Sequence, residues 1–294
     1  MGITVNEFVQ SYVAAMSGKE TDLERVVTTP SGLDPHGMNA AIGHPDVGRL
    51  GITMMADFMA PDGSLYYDAI FGAFHGQLAI RQWLVPAMAD IEFIDFVPTG
   101  ESVIFDDGLG GTSLDEWQMV MNLDGQTIPL SRGVSVRRYR DGWITWACDV
   151  YDTAAFRQPP PPEMATQAAP ELPPCPRLEW TTDETQDLRT MADPREITEQ
   201  FHPTDSVYFD ALGGEIRGRE AISSWLADMA ERTPDTVFEP LGPLLFDGTT
   251  SVQEWKTMVP GPDGAPTTMR GTSVRRFADD VIVYAADYYD TATF

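Results

Sequence analysis

Apolar residues fall at helical spacing in VNEFVQSYVAAM near the start of the chain and again in GRLGITMMADFM, so two helices are expected there. Beyond them the period changes. SVIFD, LDEWQMVMN, LSRGVSVRRYR and WITWACDVYD alternate or run apolar over strand lengths, with turn signals at Asp124-Gly125 and Asp141-Gly142. A short strand over Tyr66 to Asp68 precedes a turn ending at Gly76 and a helix that carries Trp83 on its apolar side. Helices first and antiparallel strands afterwards predict an α+β fold, a curved sheet wrapped around helices as a cone with an open mouth.

The pattern then repeats. RGVSVRRYRDGWITWACDVYDTAAF, residues 132–156, returns without a gap as RGTSVRRFADDVIVYAADYYDTATF, residues 270–294. Glu116-Trp117 matches Glu254-Trp255, and Tyr66, Asp68 and Gly76 match Tyr208, Asp210 and Gly218. A unit this long buries its own core, unlike a solenoid repeat. QPPPPEMATQAAPELPPCP, residues 158–176, has neither helical nor strand period and reads as a stiff linker. The expected domains are therefore residues 1–157, the linker 158–176, and residues 177–294, the two cones pairing as an intramolecular pseudo-dimer. Residues 28–48, rich in Gly and Pro, have no short counterpart in the second copy and read as a long loop, the kind that often serves as a lid.

Composition narrows the partners. Of 294 residues, 43% are hydrophobic and the formal net charge is −26, which excludes phosphate backbones and hence nucleic acid as a partner. The acidic residues are spread along the chain, as on a well-solvated surface. No apolar run has the length of a membrane span, and the first residues lack a basic leader. The two cysteines, Cys148 and Cys175, form no disulfide framework, so free thiols in the cytoplasm are expected. His36 and His44 have no second ligand at metal-binding spacing; neither a metal nor an organic cofactor is expected.

The run RGVSVRRYRDGWITWACDVYD resembles the C-terminal hairpin of the SnoaL-like polyketide cyclases and limonene-epoxide hydrolases, within the nuclear-transport-factor-2-like superfamily. The Tyr-x-Asp stretch followed eight residues later by Gly resembles their first pocket-lining strand. This resemblance implies that Asp149 and Asp287 project into the two cavities, where the aspartate of relatives positions water or moves a proton. It also implies that Tyr66 with Asp68, and Tyr208 with Asp210, line the same cavities. Strand alternation puts Tyr151 beside Asp149 and Tyr289 beside Asp287. The hydrolases' Arg-x-Asp pair falls here on Trp117 and Met119, and on Trp255 and Thr257, so epoxide hydrolysis loses its acid; Trp117, Met119 and Met121 present an apolar wall instead.

Two carboxylates and a tyrosine in one apolar pocket suit acid–base chemistry, since two neighbouring carboxylates share a proton. The expected activity is a cofactor-independent lyase, dehydratase, isomerase or cyclase, retro-aldol cleavage included, on an aromatic or polyketide-like molecule. The alternatives are a non-catalytic small-molecule binder and an epoxide hydrolase. Asp149, Asp68 and Tyr66 are the expected catalytic residues, with His75 as a further candidate base because the second copy has Arg217 there. The first pocket is expected to be the main one. Arg132, Arg137 and Arg138, beside Glu116, are expected to form ion pairs between strands on the convex face or at a domain interface, and Trp83 and Trp225 to lie in the cores.

Overall fold

The computed structural model describes residues 3–154 and 194–293, apart from 20–21, 90, 92, 107–109, 124, 234–235, 243 and 261–264. The linker 158–176 and Cys175 lie outside the described residues. The chain divides into two compact units, Met1–Leu130 with Val134–Asp149, and Ser131–Gly133 with Val150–Phe294.

The first sheet is preceded by α1 (Val5–Met16), α2 (Pro35–Ile42) and α3 (Leu50–Phe58). It then comprises β1 (Leu65–Asp68), β2 (Gly72–His75), α4 (Gln77–Ala89), β3 (Ile94–Pro98), β4 (Val103–Asp106), β5 (Gly110–Leu123), β6 (Gln126–Arg140) and β7 (Trp143–Tyr151). The second part repeats the order with α5 (Pro194–Glu199), β8 (Val207–Asp210), β9 (Gly214–Arg217), α6 (Arg219–Arg232), β10 (Glu239–Pro240), β11 (Leu245–Phe246), β12 (Thr250–Pro260), β13 (Pro266–Ala278) and β14 (Val281–Tyr289). The strand order is β2-β1-β7-β6-β5-β3 in one sheet and β9-β8-β14-β13-β12-β10 in the other, with β4 and β11 pairing β5 and β12. The expected α+β class with two helix-backed sheets is what the chain adopts. One feature departs from an all-antiparallel sheet: β1 runs parallel to β7, and β8 parallel to β14.

Local sequence explains the boundaries. Thr4 opens α1 through a capping box with Glu7, each side chain taking the other's backbone N–H. The β6–β7 turn puts Asp141 and Gly142 at positive φ, the left-handed conformation a tight hairpin needs. Gly76 and Gly218, at φ +79° and +81°, turn the chain from β2 and β9 into the following helices.

The expected loop at 28–48 is instead built around α2. The Asp34 carboxylate caps it by accepting the Gly37 N–H at 2.7 Å, and Pro35 sits in its first turn. Met38 and Ala41 are fully buried in the first core, packed with Val9, Met16, Met54 and Tyr139. A segment so anchored is part of the core rather than a lid. Its Asp-Pro start was the legible helix signal; the flanking glycines and prolines outweighed it.

Behind the first sheet the core also gathers Tyr12, Ile80, Ile144 and Ala147. The second is smaller, centred on Phe201, Tyr208, Ile222, Ile282 and Ala285, with Trp255, Val259, Met269 and Tyr289 clustered beside it. Trp83 and Trp225 pack against these cores while staying partly exposed. Among the described residues no helix is long and apolar enough to cross a membrane.

Candidate functional site

The parallel pairs set the site. In register, Tyr66 stands beside Ala147 and Asp68 beside Asp149; Tyr208 stands beside Ala285 and Asp210 beside Asp287. Because side chains alternate along a strand, Tyr66, Asp68, Ala147 and Asp149 share one face, the one Tyr66 and Ala147 pack against the helices. Tyr151 follows on the same face of β7, and is buried.

In the first unit the Tyr66 hydroxyl donates to the Asp149 carboxylate. Asp149 is half-buried, whereas Tyr66 and Asp68 are buried. One oxygen of Asp68 accepts the N–H groups of Ile70 and Phe71 at 2.8 and 3.0 Å, which folds the β1–β2 turn over the strand end. The Trp83 ring stacks on Phe74 at 4.2 Å and meets Tyr66 and Phe71 at 5.4 Å each, so an aromatic cluster flanks the hydroxyl. On β5, Trp117 and Met119 are buried and Met121 is partly buried; Phe96 meets Trp117 edge-on at 5.1 Å.

His75 does not join this group. It pairs with Leu65, on the opposite face from Tyr66, and its side chain is exposed, while its neighbour Phe74 takes the inward position. A strand residue one step from an inward position points outward, and that places His75 away from Asp149.

The second unit draws its groups closer. The Tyr208 hydroxyl lies 2.6 Å from Asp287 and 3.2 Å from Asp210, and the Tyr289 hydroxyl donates to Asp210 at 2.9 Å. Asp287 also accepts from Ser273 at 2.6 Å, and its two carboxylate oxygens accept from Arg275 at 2.9 and 3.2 Å. Burial pushes the Asp210 carboxyl above its ordinary range, against the lowering effect of the Gly213 N–H, and the neighbouring Asp287 adds to the rise. Burial first, then the charges of Asp287 and Asp210, raise the Tyr208 phenol well above its ordinary value. The Asp210 oxygen nearest Tyr208 is the one that can carry a proton, since its other oxygen already accepts from Leu212, Gly213 and Tyr289.

Sequence reasoning missed the arginines. Arg137 was expected on the convex face or at a domain interface, yet period two along SVRRY places Ser135, Arg137 and Tyr139 on the helix-covered side and Arg138 opposite. There the Ser135 hydroxyl accepts from the Trp117 indole at 3.0 Å, and Arg137 pairs with Asp115 at 2.7 Å. Ser273 accepts from Trp255 in the same way at 2.9 Å. Strict alternation within the doublet Arg137-Arg138 would have separated the two. Among the described residues, no three His, Cys, Asp or Glu side chains are grouped to hold a metal ion.

Residues 187–285 match the family described as SnoaL-like domain, a stretch that contains Tyr208, Asp210 and Arg275 and ends just before Asp287. No curated protein matches the chain. Similar solved structures include an NTF2-like protein of unknown function from Cytophaga hutchinsonii, 14% identical, covering 32% of this chain and 83% of its own, at a TM-score of 0.30. Another NTF2-like protein of unknown function, from Mesorhizobium loti, is 23% identical over 35% of this chain and 83% of its own, at 0.30. A protein of ketosteroid isomerase-like fold from Catenulispora acidiphila, in complex with trimethylamine, is 23% identical over 34% and 77%, at 0.28. The second part of the chain, whose Tyr-x-Asp strand lies parallel to the final Asp-bearing strand, is thus similar over residues 187–285 to the SnoaL-like domain family.

Proposed function

We propose that the protein is a cofactor-independent acid–base enzyme, a lyase, dehydratase, isomerase or cyclase, acting on a hydrophobic aromatic or polyketide-like small molecule in its first unit. The observation that carries this reading is the Tyr66 hydroxyl donating to a half-buried Asp149, with the Tyr66 ring against Trp83. Asp149 is the base that takes a proton from carbon or oxygen; Tyr66 supplies a hydrogen bond to charge that develops on a substrate oxygen. Asp68, in register beside Asp149, is the second carboxylate of the pair. Tyr151, Met119 and Met121 belong to the apolar surroundings that hold the ligand.

The probe reaction is elimination on 5-nitrobenzisoxazole. A carboxylate takes the proton from C3, the N–O bond breaks, and a coloured cyanophenolate leaves. The full chain is expected to turn it over, and Asp149→Asn to lower the rate roughly 10²–10⁴-fold. Undiminished turnover in that variant would remove Asp149 as the base.

A second reading, a non-catalytic ligand binder, is favoured for the second unit. There Asp287 is already bonded by Tyr208, Ser273 and Arg275, and Asp210 by Tyr289 and two backbone N–H groups. Tyr208, Asp210, Asp287 and Tyr289 then orient a ligand or simply fix the sheet.

A further inference from the structure

The two units carry the same arginine on the same strand position, and it has different partners. Arg275 reaches across to Asp287, bonding both carboxylate oxygens. Arg137 instead turns to Asp115, at 2.7 Å. The residue equivalent to Asp115 is Gln253, two positions before the matching tryptophan in each unit. Gln253 has no charge to offer, and its amide donates to the carbonyls of Gly242 and Glu254 at 3.0 and 2.8 Å.

Asp115 is itself braced. The Asn39 amide, on α2, donates to Asp115 at 3.0 Å and lies 2.7 Å from the Ser102 hydroxyl. The Ser113 hydroxyl lies 3.4 Å from Asp115 and 3.1 Å from the Tyr139 hydroxyl, which in turn donates to Asn39 at 3.4 Å. No equivalent of α2 is described in the second unit, where α5 leads directly into β8. Burial works against the charge on Arg137, but Asp115, ahead of Tyr139, Asp149 and Tyr66, holds the guanidinium above its ordinary value.

We infer that Asp115 is a positioning residue: braced by Asn39 of α2, it holds the Arg137 guanidinium off Asp149 and leaves that carboxylate free to act as the base. A carboxylate gripped by a guanidinium is stabilised in its charged form and loses basicity. The exchange of Asp for Gln at this position therefore separates a reactive carboxylate in the first unit from a tied one in the second, and it gives residues 28–48 a task. The assignment of a base rests on the function proposed above; the choice of arginine partner does not.

Crystal structures of the full chain and of Asp115→Gln test the partner choice without any substrate. In the wild type Arg137 is expected on Asp115; in the variant its guanidinium is expected on Asp149, at about 3 Å. Arg137 on Asp149 in the wild type, or clear of Asp149 in the variant, overturns the inference. Should Asp115→Gln not fold, Gln253→Asp asks the same question of the second unit: Arg275 moving to position 253 supports it, and Arg275 staying on Asp287 overturns it. Turnover of 5-nitrobenzisoxazole supplies the functional readout, with a loss of about tenfold or more in Asp115→Gln and recovery in Asp115→Glu. Turnover unchanged while the arginine moves would overturn the link to basicity. An arginine that moves in a protein inactive toward the probe from the outset would count against the proposed function alone.

Discussion

Asp210 and Asp287 stand in register across the parallel strands β8 and β14, and Arg275 compensates Asp287 alone. Asp210 is left with hydrogen bonds and a carboxyl raised by burial. A carboxyl raised in the folded state favours folding at low pH, and that contribution is lost as pH climbs through its folded value. Asp210→Asn keeps an oxygen for Leu212, Gly213 and Tyr289 and offers an amide to Tyr208. Its melting temperature relative to wild type is expected to rise from pH 4 to pH 8, as calorimetry at stepped pH can follow. A difference that stays flat would show that Asp210 folds in its charged form.

The helix layer of the first unit holds a second buried charge. Asp57 is met by Arg81 at 2.5 Å and by the Tyr12 hydroxyl at 2.8 Å, and Arg81 also donates to the Asp22 carbonyl at 2.6 Å. Burial raises the Asp57 carboxyl, and Arg81 opposes that rise. Arg81→Met leaves the buried carboxylate with the Tyr12 hydroxyl and the partly exposed Arg25, at 3.3 Å, and is expected to destabilise the fold in denaturant unfolding at pH 8 by less than the about 3–5 kcal/mol of a fully unpaired buried charge. The cost shrinks as the pH is lowered, because burial favours the protonated form of Asp57.

Tyr66→Phe keeps the ring against Trp83 and removes only the hydroxyl. Elimination of 5-nitrobenzisoxazole is expected to slow roughly 100-fold, within the range for loss of one aligned donor. Tyr208→Phe leaves the rate unchanged. Equal losses in both variants would place the reaction in both units.

His75→Ala is expected to leave the same rate and its pH profile unchanged, because the side chain is exposed on the far face of β2. A lost alkaline or acid limb would return His75 to the site.

Gly271 on β13 lies under the Trp255 indole, where an added Cβ would meet the ring at 2.2 Å. The ring is held by its bond to Ser273, so Gly271→Ala is expected to destabilise the second unit by about 1–3 kcal/mol and to shift tryptophan emission. Both follow from one denaturation series monitored by fluorescence.

The sequence carried the repeat, and with it the helix-then-strand order and the Tyr-x-Asp strand. Alternation on the final strand placed Asp149 and Tyr151 on one face. It said nothing of β1 lying parallel to β7, because pairing partners are set by packing across about 80 residues rather than by local pattern. Arg137 was within reach of alternation, but an arginine pair next to glutamates reads as surface charge until burial is known. Asp115 was invisible for a deeper reason. Its role depends on Asn39, 76 residues away on a helix whose glycines and prolines spoke for a loop.

The bond between Tyr66 and Asp149 joins residues 83 apart, and that between Tyr208 and Asp287 joins residues 79 apart. Contacts of such long range are expected to form after the more local hairpins β5–β6–β7 and β12–β13–β14. Refolding should therefore restore helix ellipticity well before it restores probe turnover, and a ribosome-bound chain that ends before β7 would hold the helices of the first unit and still have no chemistry to offer.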